Sequence, residues 1–578
     1  METLIWFGAA VLLVLCLAVP GLAVAGLIHR EGMSPGEDLM VALAGGTAVA
    51  ALAALAQLPL SLAFTTVSPL LMIVVLAASA VVLWPRRQWL RTLPGDPQVQ
   101  LMLAATGILF AIGLTLGALP WDRAVDQGFG AVWSVHVPDM PGDPLLQFRT
   151  AQILQNRLPI QTTPFYINYW YISDRTPLIG LMTTFLTAAA GISLPKDLQT
   201  LSAPYQLVDP YGYWLYREIS MLTNAMVAAS AVLVAWELLG ARAAKLGAVF
   251  IALSPFVLIN ILFQWPKLLA GFFIVGFYFW SWIKRRPVLA GIFAAGGVLS
   301  HPVAALFLPS MFIYLLVVRR WRQLIISGVT ATLVALPWFF WTIVIYRHSS
   351  RLLTYPIGYA IEDPTNPGPG VKAAWQAFLR RSPWSILNDR WSLFRDAFLA
   401  WQFPHLFLAP ASLKGLGTAA YEFCRLTFPG MFGVGLALFG YLSWVRVITQ
   451  SFWAVTLGGS TLCVLLFWGI PSDALTISAF QPMTGLWIAL AAGVLARFPG
   501  WVSRVVILIT CVEWIGFAYL LILKVPPVST WRITWALLAL LSLVLVAAAA
   551  IYGWTASRDQ PEATGGSPSP PVERPVTA

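Results

Sequence analysis

Residues 4–28 read LIWFGAAVLLVLCLAVPGLAVAGLI, a run without a single charged side chain. At 1.5 Å per residue such a run covers the roughly 30 Å hydrocarbon core of a bilayer. The same kind of run returns at 101–119 and 533–552. Across 578 residues, 59% are hydrophobic and only 10% are charged, with a mean hydropathy of +0.77. Soluble chains carry about a quarter charged residues. A chain this poor in charge must present apolar side chains to lipid, so it is expected to be an all-α polytopic membrane protein. A soluble enzyme with one anchor is excluded.

The charges that remain set an orientation. The formal net charge is +11, and the basic residues fall in short clusters between apolar runs: Arg86-Arg87 with Arg91, Lys284-Arg285-Arg286, and Arg319-Arg320 with Arg322. Cytoplasmic loops carry this excess. No Lys/Arg-rich tract is interleaved with aromatics, so nucleic acid is not an expected partner. Placing the clusters inside gives helices at 4–28, 39–58, 66–84, 99–119, 217–239, 244–262, 267–283, 287–301, 302–318, 323–345, 426–446, 452–470, 480–497, 502–523 and 531–552. That is about fifteen spans, with the N-terminus outside and the C-terminus inside a plasma membrane of the bacterial inner-membrane type. Residues 176–194 are apolar too, but counting them as a span would invert everything after them. They read as a helix at, or dipping into, the outer interface.

Five regions follow. Residues 1–98 form an N-terminal three-helix extension, and 99–345 a membrane core whose first outer loop is 120–176. Residues 346–425 form an extracytoplasmic cap, and 426–553 the C-terminal membrane helices. Residues 554–578, rich in Pro, Ser, Thr and Gly, read as a disordered cytoplasmic tail. The four cysteines, Cys16, Cys424, Cys463 and Cys511, make no CxxC pair, and no zinc or disulfide framework is indicated. Nothing in the sequence calls for a divalent metal.

The first outer loop concentrates polar chemistry. Pro138-Asp139-Met140-Pro141-Gly142-Asp143 is a stiff acidic turn, and a helical pattern beginning near Phe148-Arg149 follows it. A solvated surface loop is the plainer account of each residue taken singly. The ordered series downstream is more specific. Asp143 is followed by Ala151, Leu154 and a polar turn before Pro159. Asp174-Arg175-Thr176-Pro177-Leu178 comes next, then Arg217 at the opening of a span. Leu253-Ser254-Pro255, Trp265-Pro266-Lys267-Leu268 and Ser300-His301-Pro302 complete the series. Over 99–345 this order and spacing resembles the GT-C superfamily of polytopic membrane glycosyltransferases, which includes lipid A aminoarabinose transferases and protein O-mannosyltransferases. Residues 1–98 and the C-terminal third match nothing in that pattern.

The resemblance implies a GT-C-like helical bundle with interfacial helices and loops on its outer face. It implies transfer of a sugar from a polyprenyl-phosphate donor to an extracytoplasmic glycan, lipid or protein acceptor. Asp143 would be the general base, with Asp139 or Asp209 as a second acid. Arg175, Arg217 and Lys267 would bind the donor phosphate. A phosphate leaves as a stable anion, so one base on the acceptor suffices, and cations stabilise the developing charge.

Plainer readings stand beside these. Lys267 at a helix end can snorkel to water. His301 beside Pro302 reads as a structural group at a helical break. Glu513, within a span, is costly unless it meets a cavity. Two rival functions also remain: a non-catalytic GT-C-like scaffold, and a polar-lipid transporter or flippase. The transporter would carry paired repeats and midplane charges, and no internal repeat is evident.

Overall fold

The computed structural model describes residues 2–60, 62–117, 145–158, 176–196, 211–262, 264–341, 344, 371–398, 451–467, 479–518 and 532–556. Among them every regular element is helical.

The extension is built from α1 (Glu2–Ile28), α2 (Pro35–Gln57) and α3 (Phe64–Leu83), followed by the short α4 (Arg87–Thr92). The helix α2 starts where it does because Ser34 accepts from the Glu37 N–H and Pro35 occupies the first turn, the usual chemistry of a helix start. Glycines let α1 and α2 touch backbone to backbone. A Cβ on Gly21 would lie 2.1 Å from the Ala42 carbonyl oxygen, and one on Gly46 would lie 2.3 Å from that of Leu17. Close packing through small residues replaces the hydrophobic effect as the adhesive between helices in lipid.

The core begins with α5 (Pro97–Gly117), then α6 (Leu145–Gln155) and α7 (Leu178–Ala189). Next come α8 (Tyr211–Ala225) and α9 (Val227–Leu239), which together form one long apolar span. The pair α10 (Ala241–Leu253) and α11 (Pro255–Leu262) is bent by 53° at Ser254-Pro255. Proline disfavours helix at the residue before it and lacks the N–H to continue the ladder. The helix α12 runs Lys267–Tyr278 and widens to a π turn through Ile283. After it, α13 (Pro287–Ser300) and α14 (Leu308–Val317) flank a 3₁₀ segment, and α15 (Trp321–Phe340) follows. His301 accepts the Val303 N–H at 3.1 Å and so caps the 3₁₀ segment, which is the structural role expected for it. Apolar helices at Ser451–Phe467, Gln481–Leu495, Gly500–Ala518 and Arg532–Ala556 complete the described bundle.

Six described helices are long and apolar enough to cross a membrane, seven if the bent pair is one span, and others are shorter. The protein is a multi-pass membrane protein. The short helices carry the difference from about fifteen full spans, and residues 426–446 lie outside the described residues. The helix α7 is about 18 Å long, too short to cross, and it is buried from Leu178 through Ala188 among α2, α3, α6 and α8. It dips into the bundle and does not lie on its surface.

Hydrogen bonds sort the helix ends into two faces. At one face Lys284 pairs with Glu37 at 2.7 Å and with Glu237 at 2.9 Å. His29 and Trp89 both bond to Asp38 there, Arg86 reaches the Gly26 carbonyl, and Gln323 reaches that of Ser281. The basic clusters at 86–91, 284–286 and 319–322 therefore share one end of the bundle. At the opposite end Arg157 donates to the carbonyls of Leu58 and Leu62, and Ser68 donates to Gln57.

Candidate functional site

At the end opposite the basic clusters, α8 turns a polar row toward the start of α12. Arg217, Ser220 and Asn224 are spaced by three and four residues, which puts them on one helical face. All three are fully buried. Each does a distinct job. Ser220 donates to the Gln264 carbonyl oxygen at 3.2 Å. Asn224 accepts the Leu269 N–H at 2.9 Å, one of the first-turn donors that a helix cannot satisfy by itself. The row thus fixes both sides of Trp265-Pro266-Lys267.

Arg217 lies in the second turn of α8, because the helix starts at Tyr211 and not at Arg217 as the sequence reading has it. It donates from Nη2 to the Gly117 carbonyl at 2.9 Å, and its guanidinium lies 5.3 Å from the centroid of the Trp6 ring. Glu218 follows it, 1% exposed.

Lys267 occupies the first helical position of α12. It is 4% exposed, and its ammonium sits 3.8 Å from the centroid of the Trp265 ring. That burial rules out a lysine snorkelling to water. A cation at a helix N-terminus also opposes the helix dipole, so its position does nothing for the stability of α12. Combined with the dipole, it makes a place for an anion.

Gln264, three residues before Lys267, has φ of 61°, a left-handed conformation uncommon outside glycine. It is fully buried, and neither its Nε2 nor its Oε1 has a hydrogen-bond partner among the described residues. Strained backbone and unsatisfied buried polar groups are kept where function needs them.

The helix α6 braces the same end. Gln155 donates to Thr187 Oγ1 and to the Ile192 carbonyl, both at 3.2 Å, and accepts from the Leu194 N–H at 2.6 Å. Gln147 bonds Thr176 and Gly180. The Phe148 ring lies 5.2 Å from that of Tyr213 and 5.5 Å from that of Tyr216, so α6 also packs on α8. Arg149 beside it is fully buried.

Of the residues singled out in the sequence, Arg217 on α8 and Lys267 at the start of α12 both lie buried at the end opposite the basic clusters, where Ser220 of α8 bonds the Gln264 carbonyl. Asp143, Asp139, Asp209 and Arg175 lie outside the described residues. Ser220, Asn224, Gln264 and the α6 glutamines were missed. Their one trace in the sequence is polar side chains recurring within apolar stretches. Among the described residues no group of three His, Cys, Asp or Glu is placed to hold a metal ion.

No protein-family model matches the chain, and no curated protein matches it. Among solved structures the chain is similar to ArnT from Cupriavidus metallidurans bound to undecaprenyl phosphate. That likeness has 14% identity over 80% of this chain and 77% of that one, with a TM-score of 0.41. It is also similar to ArnT from the same organism in the apo state, with 15% identity over 73% of each chain and a TM-score of 0.38. This chain covers about three quarters of each.

Proposed function

We propose that the protein is a membrane glycosyltransferase of the GT-C kind, moving a sugar from a polyprenyl-phosphate donor to an extracytoplasmic acceptor. The observation that carries this reading is the buried polar row of α8 against the strained turn before α12. Arg217 on α8 and Lys267 on α12 are both buried there, and the Gln264 carbonyl accepts from Ser220 of α8. Desolvated cations attract an anion far more strongly than exposed ones, because water no longer screens them. They are fixed before the reaction, so stabilising the departing phosphate costs no reorganisation.

In this reading Arg217 and Lys267, with Arg175, hold the donor phosphate. Asp143 takes the proton from the acceptor nucleophile, and Asp139 supports the acidic turn or serves as a second acid. The prenyl tail stays in lipid, and the acceptor arrives from the face opposite the basic clusters.

The test is a lipid-linked-glycan and envelope profile of a strain lacking the protein. Accumulation of one polyprenyl-linked sugar, together with loss of one envelope modification, is expected. An unchanged profile, with normal export of polar lipids, would sink the transferase reading.

A further inference from the structure

A cavity of about 290 Å³ lies between the N-terminal extension and the core, walled by α1, α3, α7 and α8. Its size is near the foot of the usual range for ligand pockets, about 300 Å³. Ile5, Trp6 and Cys16 line it from α1, Met72 from α3, Leu186 from α7 and Glu218 from α8. The wall is apolar except at the aromatic tips and at Glu218, the one carboxyl group in it. Glu218 is 1% exposed, and its Oε2 has no hydrogen-bond partner among the described residues. A buried polar atom without a partner is costly, so this one points to a missing ligand.

The surroundings say which ligand. The cavity follows α1 from Ile5 to Cys16, about 16 Å at the helical rise. That is close to half the roughly 30 Å hydrocarbon core, or one leaflet. Its neighbours on α1 and α3 are the strongly exposed Leu4, Val11, Leu15, Leu70 and Ile73, the apolar side chains that face lipid. The cavity therefore adjoins the hydrocarbon phase, at the leaflet opposite the basic clusters.

We propose that this cavity binds one acyl chain of a membrane phospholipid, with Glu218 as a neutral carboxyl donating its O–H to an ester oxygen near the head of that chain. The chain fills the space between α1 and α8 as part of the bundle. Trp6 forms part of the wall, and its ring also carries the Arg217 guanidinium. The bound chain thus rests against the residue that orients Arg217. The site stands on the cavity and needs neither the donor nor the acceptor of the transferase reading.

The experiment uses the full chain in phosphatidylcholine vesicles containing a phospholipid with a photo-activatable acyl chain. Adducts are mapped by peptide mass spectrometry. They are expected on the segments that line the cavity from α1 and α8. Ala9→Trp, on α1, and Ala190→Phe, just past the end of α7, each fill the cavity from a different wall and should both abolish those adducts. Val11→Trp, on the lipid-facing side of α1, should not. Glu218→Gln keeps a hydrogen-bonding group and should label like the native protein. Glu218→Leu should label about fivefold less, the equilibrium weight of one hydrogen bond. Equal labelling of the filled variants and the native protein would overturn the site. Equal labelling of Glu218→Leu would remove its polar anchor. Displacement of the label by a polyprenyl phosphate, but not by excess phospholipid, would overturn the acyl assignment in favour of the prenyl tail.

Discussion

The guanidinium of Arg217 lies 5.3 Å from the centroid of the Trp6 ring, and the indole nitrogen of Trp6 donates to the Leu114 carbonyl oxygen at 3.2 Å. One side chain of the N-terminal extension therefore both stacks on the proposed phosphate-binding arginine and ties α1 to α5. The extension matches nothing in the family pattern, yet it is built into the site. Across that contact the Trp6 ring holds the Arg217 guanidinium beside α1.

Trp6 substitutions should separate the two contacts. A desolvated cation–π contact contributes about 2 kcal/mol, and a hydrogen bond about 1 kcal/mol. Trp6→Phe keeps a ring and loses the hydrogen bond, and Trp6→Leu loses both. Thermal unfolding in detergent should therefore rank native above Trp6→Phe above Trp6→Leu. Equal melting of the two variants would show that the ring contact contributes nothing.

Lys284 gives a dependence on pH. It lies at the basic-cluster end, just past the π turn of α12, facing Glu37 and Glu237. Burial works to lower the affinity of its ammonium for the proton, but the two carboxylates outweigh burial and raise its pKa above the ordinary lysine value. A raised folded pKa gives stability that is fully present below the unfolded value, about 10.4. That stability is lost as pH climbs through the folded value. The Glu37 side chain is 1% exposed, so Lys284→Met strands a buried carboxylate, at a cost of about 3 kcal/mol. The native protein should melt well above this variant at pH 7 and at pH 9, and the gap should close only in stronger alkali. A gap that closes between pH 7 and 9 would contradict the pairing.

The two faces of the bundle can be labelled separately. In a background whose native cysteines are replaced, Glu31→Cys lies at the Lys284 end and Leu60→Cys at the Arg157 end. Both positions are exposed. An impermeant thiol reagent added to intact spheroplasts should modify Leu60→Cys alone, and Glu31→Cys only after lysis. The reverse pattern would place Arg217 and Lys267 on the cytoplasmic side and end the proposed reaction.

Much of the bundle was legible because lipid imposes one rule, a long apolar run, and the chain obeys it. The expected helix at 267–283 and the paired helices meeting at His301-Pro302 appear with almost the same ends. The run at 244–262 was read as one helix because hydropathy does not register the direction of a chain. The kink comes from Ser254-Pro255. The start of α8 was placed six residues late because Tyr211–Tyr216 is aromatic at its interface end and only modestly apolar. The site was legible only in its charges. Arg217 and Lys267 stand out in a chain this apolar, but Ser220 and Asn224 resemble any small polar residue in a helix. The left-handed φ of Gln264 leaves no mark on composition.

Catalysis and folding must come apart at Asp143, and the buried bases show why the acid is the better probe. Arg217 is fully buried and bonded to Gly117, so Arg217→Ala removes the proposed phosphate ligand and also opens a hole and strands the Gly117 carbonyl. Its loss of activity would carry a loss of stability, and Lys267→Ala shares the problem. Asp143 sits by sequence in a turn-forming loop, where a substitution shifts stability by about 0.5 kcal/mol or less. A general base contributes about 10²–10⁴-fold in rate. Asp143→Asn keeps the shape and hydrogen-bonding capacity of the side chain but cannot take the proton. It should reach native membrane levels and melt at the native temperature, while transfer or complementation of a deletion strain nearly vanishes. Asp139→Asn should be milder if Asp139 only shapes the turn. Full complementation by Asp143→Asn would leave the buried row of α8 as part of a scaffold that carries the fold of such enzymes without their reaction.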